Sequence, residues 1–354
     1  MRLFVDLYEI TLTPESAFGS ALKGDTLFGH LCWQAAYDPE LLNGGLGPWV
    51  KRYPEAPAVV ISSAYPCFAG DERCYALRRP DRPGQWVATA GLPPAEKRKL
   101  LEQRKLGQAK KWLWVDHDLK VRDQPERLAS ERDLNQRALS ELFDQRERPR
   151  PPVGIEHFCA GFKQMHNTID RTTGTTGEGA FAPFEESAMC FLPGVRLAVF
   201  VLIEAEATDI ERVTEALRRI GRWGYGKNAS TGLGRFRVEQ WRKCSPPPLK
   251  KTHGCYTLGP CVPAQGQFRE FYYTPFVRFG RHGDRLAHAQ NPFKNPVLMA
   301  DDGAVGLPAD PQVAAKPYVG RAVLGTSKAL DTAIAQGYSI YLPIALENGH
   351  ERTV

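Results

Sequence analysis

Residues 224 to 237 read Gly224-Tyr225-Gly226-Lys227-Asn228-Ala229-Ser230-Thr231-Gly232-Leu233-Gly234-Arg235-Phe236-Arg237, and what flanks this glycine-rich stretch restricts the fold. Upstream, Arg196 to Glu206 is a short apolar run with Leu197, Val199, Val201 and Ile203 at the alternate spacing of a strand. Thr208, with Glu211 three residues on, forms a capping box that opens a helix. One face of that helix carries Ile210, Val213, Leu217, Ile220 and Trp223, and the other carries Arg212, Glu215, Arg219 and Arg222. Downstream, Phe236 and Val238 alternate with Arg235 and Arg237, a strand with one apolar and one basic face. The order is strand, helix, glycine loop, strand, and glycines at such a junction allow close backbone approach.

That order excludes a nucleotide-triphosphate site. Gly221 to Asn228 nearly spells G-x-x-x-x-G-K-[ST], but Asn228 stands where the metal-binding hydroxyl belongs, and the loop follows a helix where a P-loop precedes one. A phosphate here would meet the partial negative charge of a helix C-terminus. Anion binding therefore falls to loop N–H groups and to Lys227, Arg222, Arg235 and Arg237, which suits an extended polyanion. The alternative use of the glycines is a turn that closes the helix back onto its sheet.

The 354 residues suffice for two cores, and a net charge of +6 permits nucleic-acid binding without requiring it. Met1 and Arg2 run straight into a strand-like segment, Leu3 to Ile10, with no signal peptide, and no apolar run is long enough to span a bilayer. A cytoplasmic protein without membrane contact is expected. The eight cysteines then read as free thiols. Cys244, His253, Cys255 and Cys261 lack the paired C-x-x-C spacing of a zinc site, and neither H-E-x-x-H nor G-x-S-x-G occurs, so no metal or cofactor is expected.

Along the chain, Asp25 is placed to cap a helix running to about Tyr37, followed by a short strand over Ala58 to Ser62 and an irregular aromatic segment, Tyr65 to Tyr75. With the strand, helix, loop and strand described above, these elements form a split β-α-β pattern, an α+β fold. A charged insertion spans about residues 95 to 152 and ends in Arg146-Glu147-Arg148-Pro149-Arg150-Pro151-Pro152. Its mixed signs mark a solvated helical face. Within it, Lys110-Lys111-Trp112-Leu113-Trp114-Val115 sets two lysines beside two aromatics, which fits either a backbone track with a stacked base or a packing anchor. From His166 to Gly179 apolar periodicity is missing, so a loop rich in hydroxyls and glycine is expected, stocked for phosphate and 2′-OH contacts. A linker over residues 244 to 254, containing Pro246-Pro247-Pro248, separates an N-terminal domain (1–243) from a smaller strand-rich one (255–354). In the latter, Phe271 to Phe279 alternates like a strand, Asp302-Gly303 signals a hairpin within residues 296 to 305, and Tyr338 to Ile344 reads as a closing strand.

Four motifs together resemble the RAMP superfamily of CRISPR proteins, specifically the fourth Csm subunit of type III-A effector complexes. They are Lys23-Gly24-Asp25-Thr26-Leu27-Phe28-Gly29-His30, His166-Asn167-Thr168-Ile169-Asp170-Arg171, the Gly224 to Gly234 loop, and Asn291-Pro292-Phe293-Lys294-Asn295-Pro296. The resemblance implies two ferredoxin-like (RRM-like) domains and a non-catalytic subunit. That subunit would hold the crRNA 5′ handle and join the large polymerase-like subunit to the backbone RAMP subunit. By position it carries RNA contact to Lys23, His166, Asn167, Arg171, Lys227, Arg235 and Lys294, with Gly226, Gly232 and Gly234 as loop backbone. The insertion departs from the family pattern. Two other readings stay open: a metal-independent endoribonuclease acting on precursor RNA through His30 or His166, and a protein-docking subunit using Trp112, Trp114 and the charged insertion, with RNA held by its neighbours.

Overall fold

The structure is a computed structural model and describes residues 5–69, 73–82, 93–144, 157–245, 247–248, 253–310 and 316–345. The start of the first strand, the Arg146 to Pro152 tail of the insertion and most of the 246–252 linker lie outside the described residues. The architecture is mixed α+β, built on antiparallel sheets.

The N-terminal half runs β1 (Val5–Pro14), α1 (Gly24–Tyr37), α2 (Leu46–Arg52), β2 (Val59–Phe68), β3 (Cys74–Arg78), α3 (Pro94–Ala109), β4 (Trp112–Asp116), β5 (Leu128–Ala129) and α4 (Glu131–Asp144). It continues through β6 (Cys159–His166), β7 (Phe184–Phe191), β8 (Arg196–Glu204), α5 (Ile210–Trp223) and β9 (Phe236–Cys244). Seven strands form one sheet in the order β5-β4-β3-β2-β8-β1-β9. Within it, β8 lies between β1 and β2 and β1 lies between β8 and β9, so the β1-α1-β2 and β8-α5-β9 units are each split by a strand of the other. Helices α1 and α5 pack on this sheet through Leu27, Phe28, Leu31, Val213, Leu217 and Ile220, all buried. Strands β6 and β7 form a largely exposed two-stranded arm, tied to the rest of the chain by an antiparallel bridge between Met189 of β7 and Phe18, which exchange backbone hydrogen bonds at 2.8 and 2.9 Å.

The C-terminal half runs β10 (His253–Thr257), β11 (Phe268–Tyr272), β12 (Pro275–Arg278), β13 (Val297–Ala300), β14 (Val305–Pro308), β15 (Tyr318–Gly320) and β16 (Tyr338–Ala345). Its main sheet has the order β11-β14-β10-β16-β15. Taken in chain order, β10, β11, β14 and β16 occupy the same relative places as β1, β2, β8 and β9, but no α-helix is present among the described residues of this half.

Several local expectations are corrected. The segment from Tyr65 is strand at both ends, Tyr65 to Phe68 completing β2 and Cys74 and Tyr75 opening β3, because these residues are buried on both faces of the sheet; residues 70–72 lie outside the described residues. Asp25 caps nothing; it lies inside α1 and accepts both Nε and Nη2 of Arg278, at 2.6 and 2.9 Å. The cap of α5 is Asp209, whose carboxylate accepts the Arg212 N–H at 2.9 Å, while the Thr208 hydroxyl donates to the Leu41 carbonyl. Trp223 is 73% exposed: it is the last residue of α5, and in its turn Ile220 and Gly221 take the buried positions, Gly221 against Phe236 of β9. Phe271 to Phe279 is divided between β11 and β12. The Asp302-Gly303 turn joins β13 and β14, which belong to different sheets and do not form a hairpin with each other.

The two halves share a polar joint. Gln336, fully buried, donates to the Ile61 carbonyl at 2.7 Å and accepts the Ile61 N–H at 2.9 Å, standing in for a strand partner. Lys23 ion-pairs with Asp301 and, at 3.1 Å, with Asp302, to which Ser63 also donates. Burial works against the Asp301 carboxylate, but the Lys23 charge and the hydrogen bonds from Lys23 and Asp302 together hold its pKa below the usual range; for the more deeply buried Asp302, burial wins and the pKa is raised.

Candidate nucleic-acid interface

Helix α5 stops because Gly224 adopts φ +107°, a conformation L-residues avoid, and its N–H closes the helix on the Ile220 carbonyl at 2.8 Å. The loop then folds against the segment that joins β1 to α1. The Tyr225 N–H donates to Gly234, Gly234 to Ala17, Lys227 to the Ser20 hydroxyl and Arg235 to the Ser16 hydroxyl. The Gly226 N–H donates to His30 Nε2 at 3.1 Å, and the His30 ring packs on Tyr225 with centroids 5.2 Å apart. Buried Tyr225 in turn donates its hydroxyl to the Ala21 carbonyl and accepts the Lys23 N–H.

These bonds revise the expected use of the loop. The amides of Tyr225, Gly226, Lys227, Gly232, Leu233, Gly234 and Arg235 are taken up within the protein. The glycines therefore build a rigid platform, and side chains carry its outward chemistry. Lys227, Arg222, Arg235 and Arg237 are exposed, and the exposed indole of Trp223 stands beside them in sequence at the end of α5. Strand β9 has the anticipated alternation, with Phe236 and Val238 buried and Arg237 outward.

The loop meets the β6–β7 arm through Glu186, a residue that no sequence motif marks. Its carboxylate lies 3.5 Å from Lys227 Nζ and 3.6 Å from His166 Nε2, and it accepts the Asn228 amide. Two of the sequence motifs thus converge on one carboxylate from β7. The His166 ring stacks on Phe184 across the arm, 5.4 Å between centroids and 16° from parallel. Nothing local in sequence signals Glu186, because its partners lie on elements that only the fold brings together.

The other candidates are placed differently. Asn167 and Arg171 are exposed on the loop beyond His166, in a turn pinned by Gly174 N–H donating to Asp170 O and Thr172 N–H donating to the Asp170 carboxylate. Among the described residues no hydrogen bond or ion pair ties either to the glycine loop. Lys23 faces the joint, with its ammonium held by Asp301 and Asp302. Lys294 is half-buried with its stem against Gly280; burial draws its pKa down, and its charge acts on both His30 and His282. It therefore lies behind the loop, on the His30 side.

Burial, with Lys294 second, lowers the His30 pKa from 6.5 to about 4. His30 is accordingly neutral at pH 7, with Nε2 occupied as an acceptor. Because the unfolded chain takes up this proton first, the contribution is full above pH 6.5 and is lost as pH falls towards 4. In His30→Gln, whose amide oxygen can still accept the Gly226 N–H, the part of the pH dependence of stability within that window is expected to vanish, as read by urea denaturation at stepped pH.

Cys255 and Cys261 are buried in apolar surroundings that push both thiols up to about 12, and among the described residues no His, Cys, Asp or Glu cluster suited to a metal is found. No helix among them is long and apolar enough to cross a membrane.

No family model and no curated protein matches the sequence. Among solved structures, the chain is similar to one of a Csm3-Csm4 subcomplex in the type III-A CRISPR-Cas interference complex, at 12% identity over 95% of this chain and 99% of that one, with a TM-score of 0.49. It is similar also to a chain of a Csm1-Csm4 cassette in complex with pppApA, at 16% identity over 97% and 100% of the two chains and a TM-score of 0.47. A chain of the type III-B Cmr-beta complex bound to cognate target RNA and AMPPnP gives 11% identity, 84% and 85% coverage and a TM-score of 0.40. None of these scores reaches 0.5, so what the chain does rests on its own residues.

Proposed function

We propose that this chain is a non-catalytic RNA-binding subunit of the RAMP type, corresponding to the fourth Csm subunit of a type III-A CRISPR effector complex. In that role it grips the backbone of the crRNA 5′ handle and bridges the large polymerase-like subunit to the backbone subunit. The observation that carries the reading is the convergence of Lys227, Asn228 and His166 on Glu186, which brings two of the four resembling motifs onto one surface. Exposed Lys227 and Arg235, on a loop whose amides are largely bonded within the protein, suit phosphates met in succession along a strand. Asn167 and Arg171 extend the same surface along the arm loop, Lys294 supports it from behind, and Lys23 serves the joint. Both main sheets are taken as ferredoxin-like, the second with loops in place of its two helices.

His30 fits this reading better than the endoribonuclease one, since a neutral imidazole already occupied by Gly226 is a poor proton donor at pH 7. The test is Lys227→Glu/Arg235→Glu in the assembled complex. Losing two single-strand phosphate contacts is expected to weaken handle RNA binding by about 25-fold at 0.1 M salt and to lower the log–log salt slope by about 1.4. Wild-type RNA content and slope in the double variant would overturn the assignment.

A further inference from the structure

Helix α3 buries none of its residues. A helix that is polar all round is held by i,i+4 pairs such as Arg98 with Glu102, at 3.2 Å, and presents its charge to whatever approaches its surface. From Pro94 to Lys111 the chain carries seven basic and two acidic residues, five of the six net positive charges of the whole protein. At 100° per residue, Lys97, Arg98, Arg104 and Lys105 fall on one side of the helix, along about 12 Å of its axis. The C-terminal end of α3 is held in place: Arg79 donates to the Gly107 carbonyl at 2.7 Å, and its N–H donates to Lys111 O at 2.9 Å.

Beyond that end lies an open cleft of about 610 Å³, lined by Lys110, Trp114, Gln136 and Arg137 together with the acidic Glu126 and Asp133. The Asp133 carboxylate is already taken by the Ser130 N–H and hydroxyl, both at 2.7 Å. The Trp114 ring is paired with the Arg137 guanidinium, 5.0 Å from its centroid. A membrane helix needs a continuous apolar face, and a helix docking into a protein groove needs apolar anchors at i, i+3, i+4 and i+7. Leu100, Leu101 and Leu106 point in three separate directions and supply neither. Lysine is also depleted at protein–protein interfaces. A basic stripe leading to an aromatic-and-guanidinium cleft matches single-stranded nucleic acid, with phosphates on the stripe and bases at the cleft.

We propose that α3 and the cleft at its C-terminal end form a second RNA-binding surface, which takes a single strand irrespective of sequence and is separate from the glycine-loop surface. Strands β3, β2, β8 and β1 lie between β4, beside α3, and β9, which follows the glycine loop. At ~4.8 Å per strand they separate the two surfaces by roughly 24 Å. The proposal does not depend on the handle reading.

The test measures binding of an unstructured 20-nucleotide RNA lacking any handle sequence to the full chain, by fluorescence anisotropy across a salt series. All proteins carry Lys227→Glu/Arg235→Glu, so the glycine-loop surface is silenced. Adding Lys97→Gln/Arg98→Gln/Lys105→Gln is expected to weaken binding about 100-fold at 0.1 M salt and to lower the salt slope by about 2. Since α3 buries nothing, the melting temperature should hold; should the triple variant prove unstable, Lys105→Gln alone is expected to lose about fivefold. Unchanged RNA affinity and slope would overturn the proposal. So would retained RNA binding with loss of binding to phosphatidylserine vesicles, which would make the surface a membrane contact.

Discussion

Gly234→Ala is expected to destabilise the protein by about 2–5 kcal/mol, through two terms that act at the same atom. The residue has φ +77°, and placing an L-side chain in the left-handed region costs about 1–2 kcal/mol. A Cβ at this position would also stand 2.1 Å from Tyr225 O, 2.5 Å from Tyr225 N and 2.8 Å from Tyr225 C. Those are backbone atoms of a residue whose own N–H is bonded to Gly234 O, so relief requires opening the loop, and overpacking adds about 1–3 kcal/mol. Gly232 is the internal control: it has φ +97°, but a methyl group there would meet nothing within 4 Å. Gly232→Ala should therefore cost only the backbone term, about 1–2 kcal/mol. Urea titrations of both variants give the comparison, and equal midpoints would refute the view that the loop is a closed platform.

Glu9→Ala should cost a similar amount for an electrostatic reason. Glu9 is fully buried on β1 and gathers Arg73 at 2.5 Å, Arg242, and the Tyr75 hydroxyl at 2.6 Å. Removing the carboxylate leaves two half-buried guanidinium groups facing each other and a buried hydroxyl without its acceptor. Breaking a buried ion pair by deleting one partner typically costs about 3–5 kcal/mol, far more than the pair contributes when intact. Arg242 belongs to β9 and Arg73 immediately precedes β3, so the loss should loosen the sheet from both sides of β1. A denaturation midpoint within error of wild type would show that water reaches the site and solvates the arginines.

The glycine loop shows how far local pattern reaches. The period-two and period-3.6 runs place β8, α5 and β9 within a few residues of their observed bounds, because alternation and amphipathicity are imposed by burial on one side. The exclusion of a P-loop also follows from element order alone. Which loop amides are free does not, because the partners of Gly226, Lys227 and Arg235 are His30, Ser20 and Ser16, some two hundred residues earlier. The same limit applies to Lys23 and Asp25. Both stand in a motif that resembles an RNA-binding family, and both are engaged by residues of the C-terminal half.

By itself the sequence determined the split β-α-β frame, the charge and the places where chemistry is offered, since these depend on side-chain periodicity and residue type within a few turns of chain. The tertiary structure decided which of those offers remain outward. Folding brought Glu186 between Lys227 and His166, placed Lys23 between two aspartates, and made the glycines a platform instead of an anion cradle. The physical reason is that hydrogen bonds and ion pairs between distant segments form only when burial brings those segments together, and every donor satisfied inside is one fewer for a ligand.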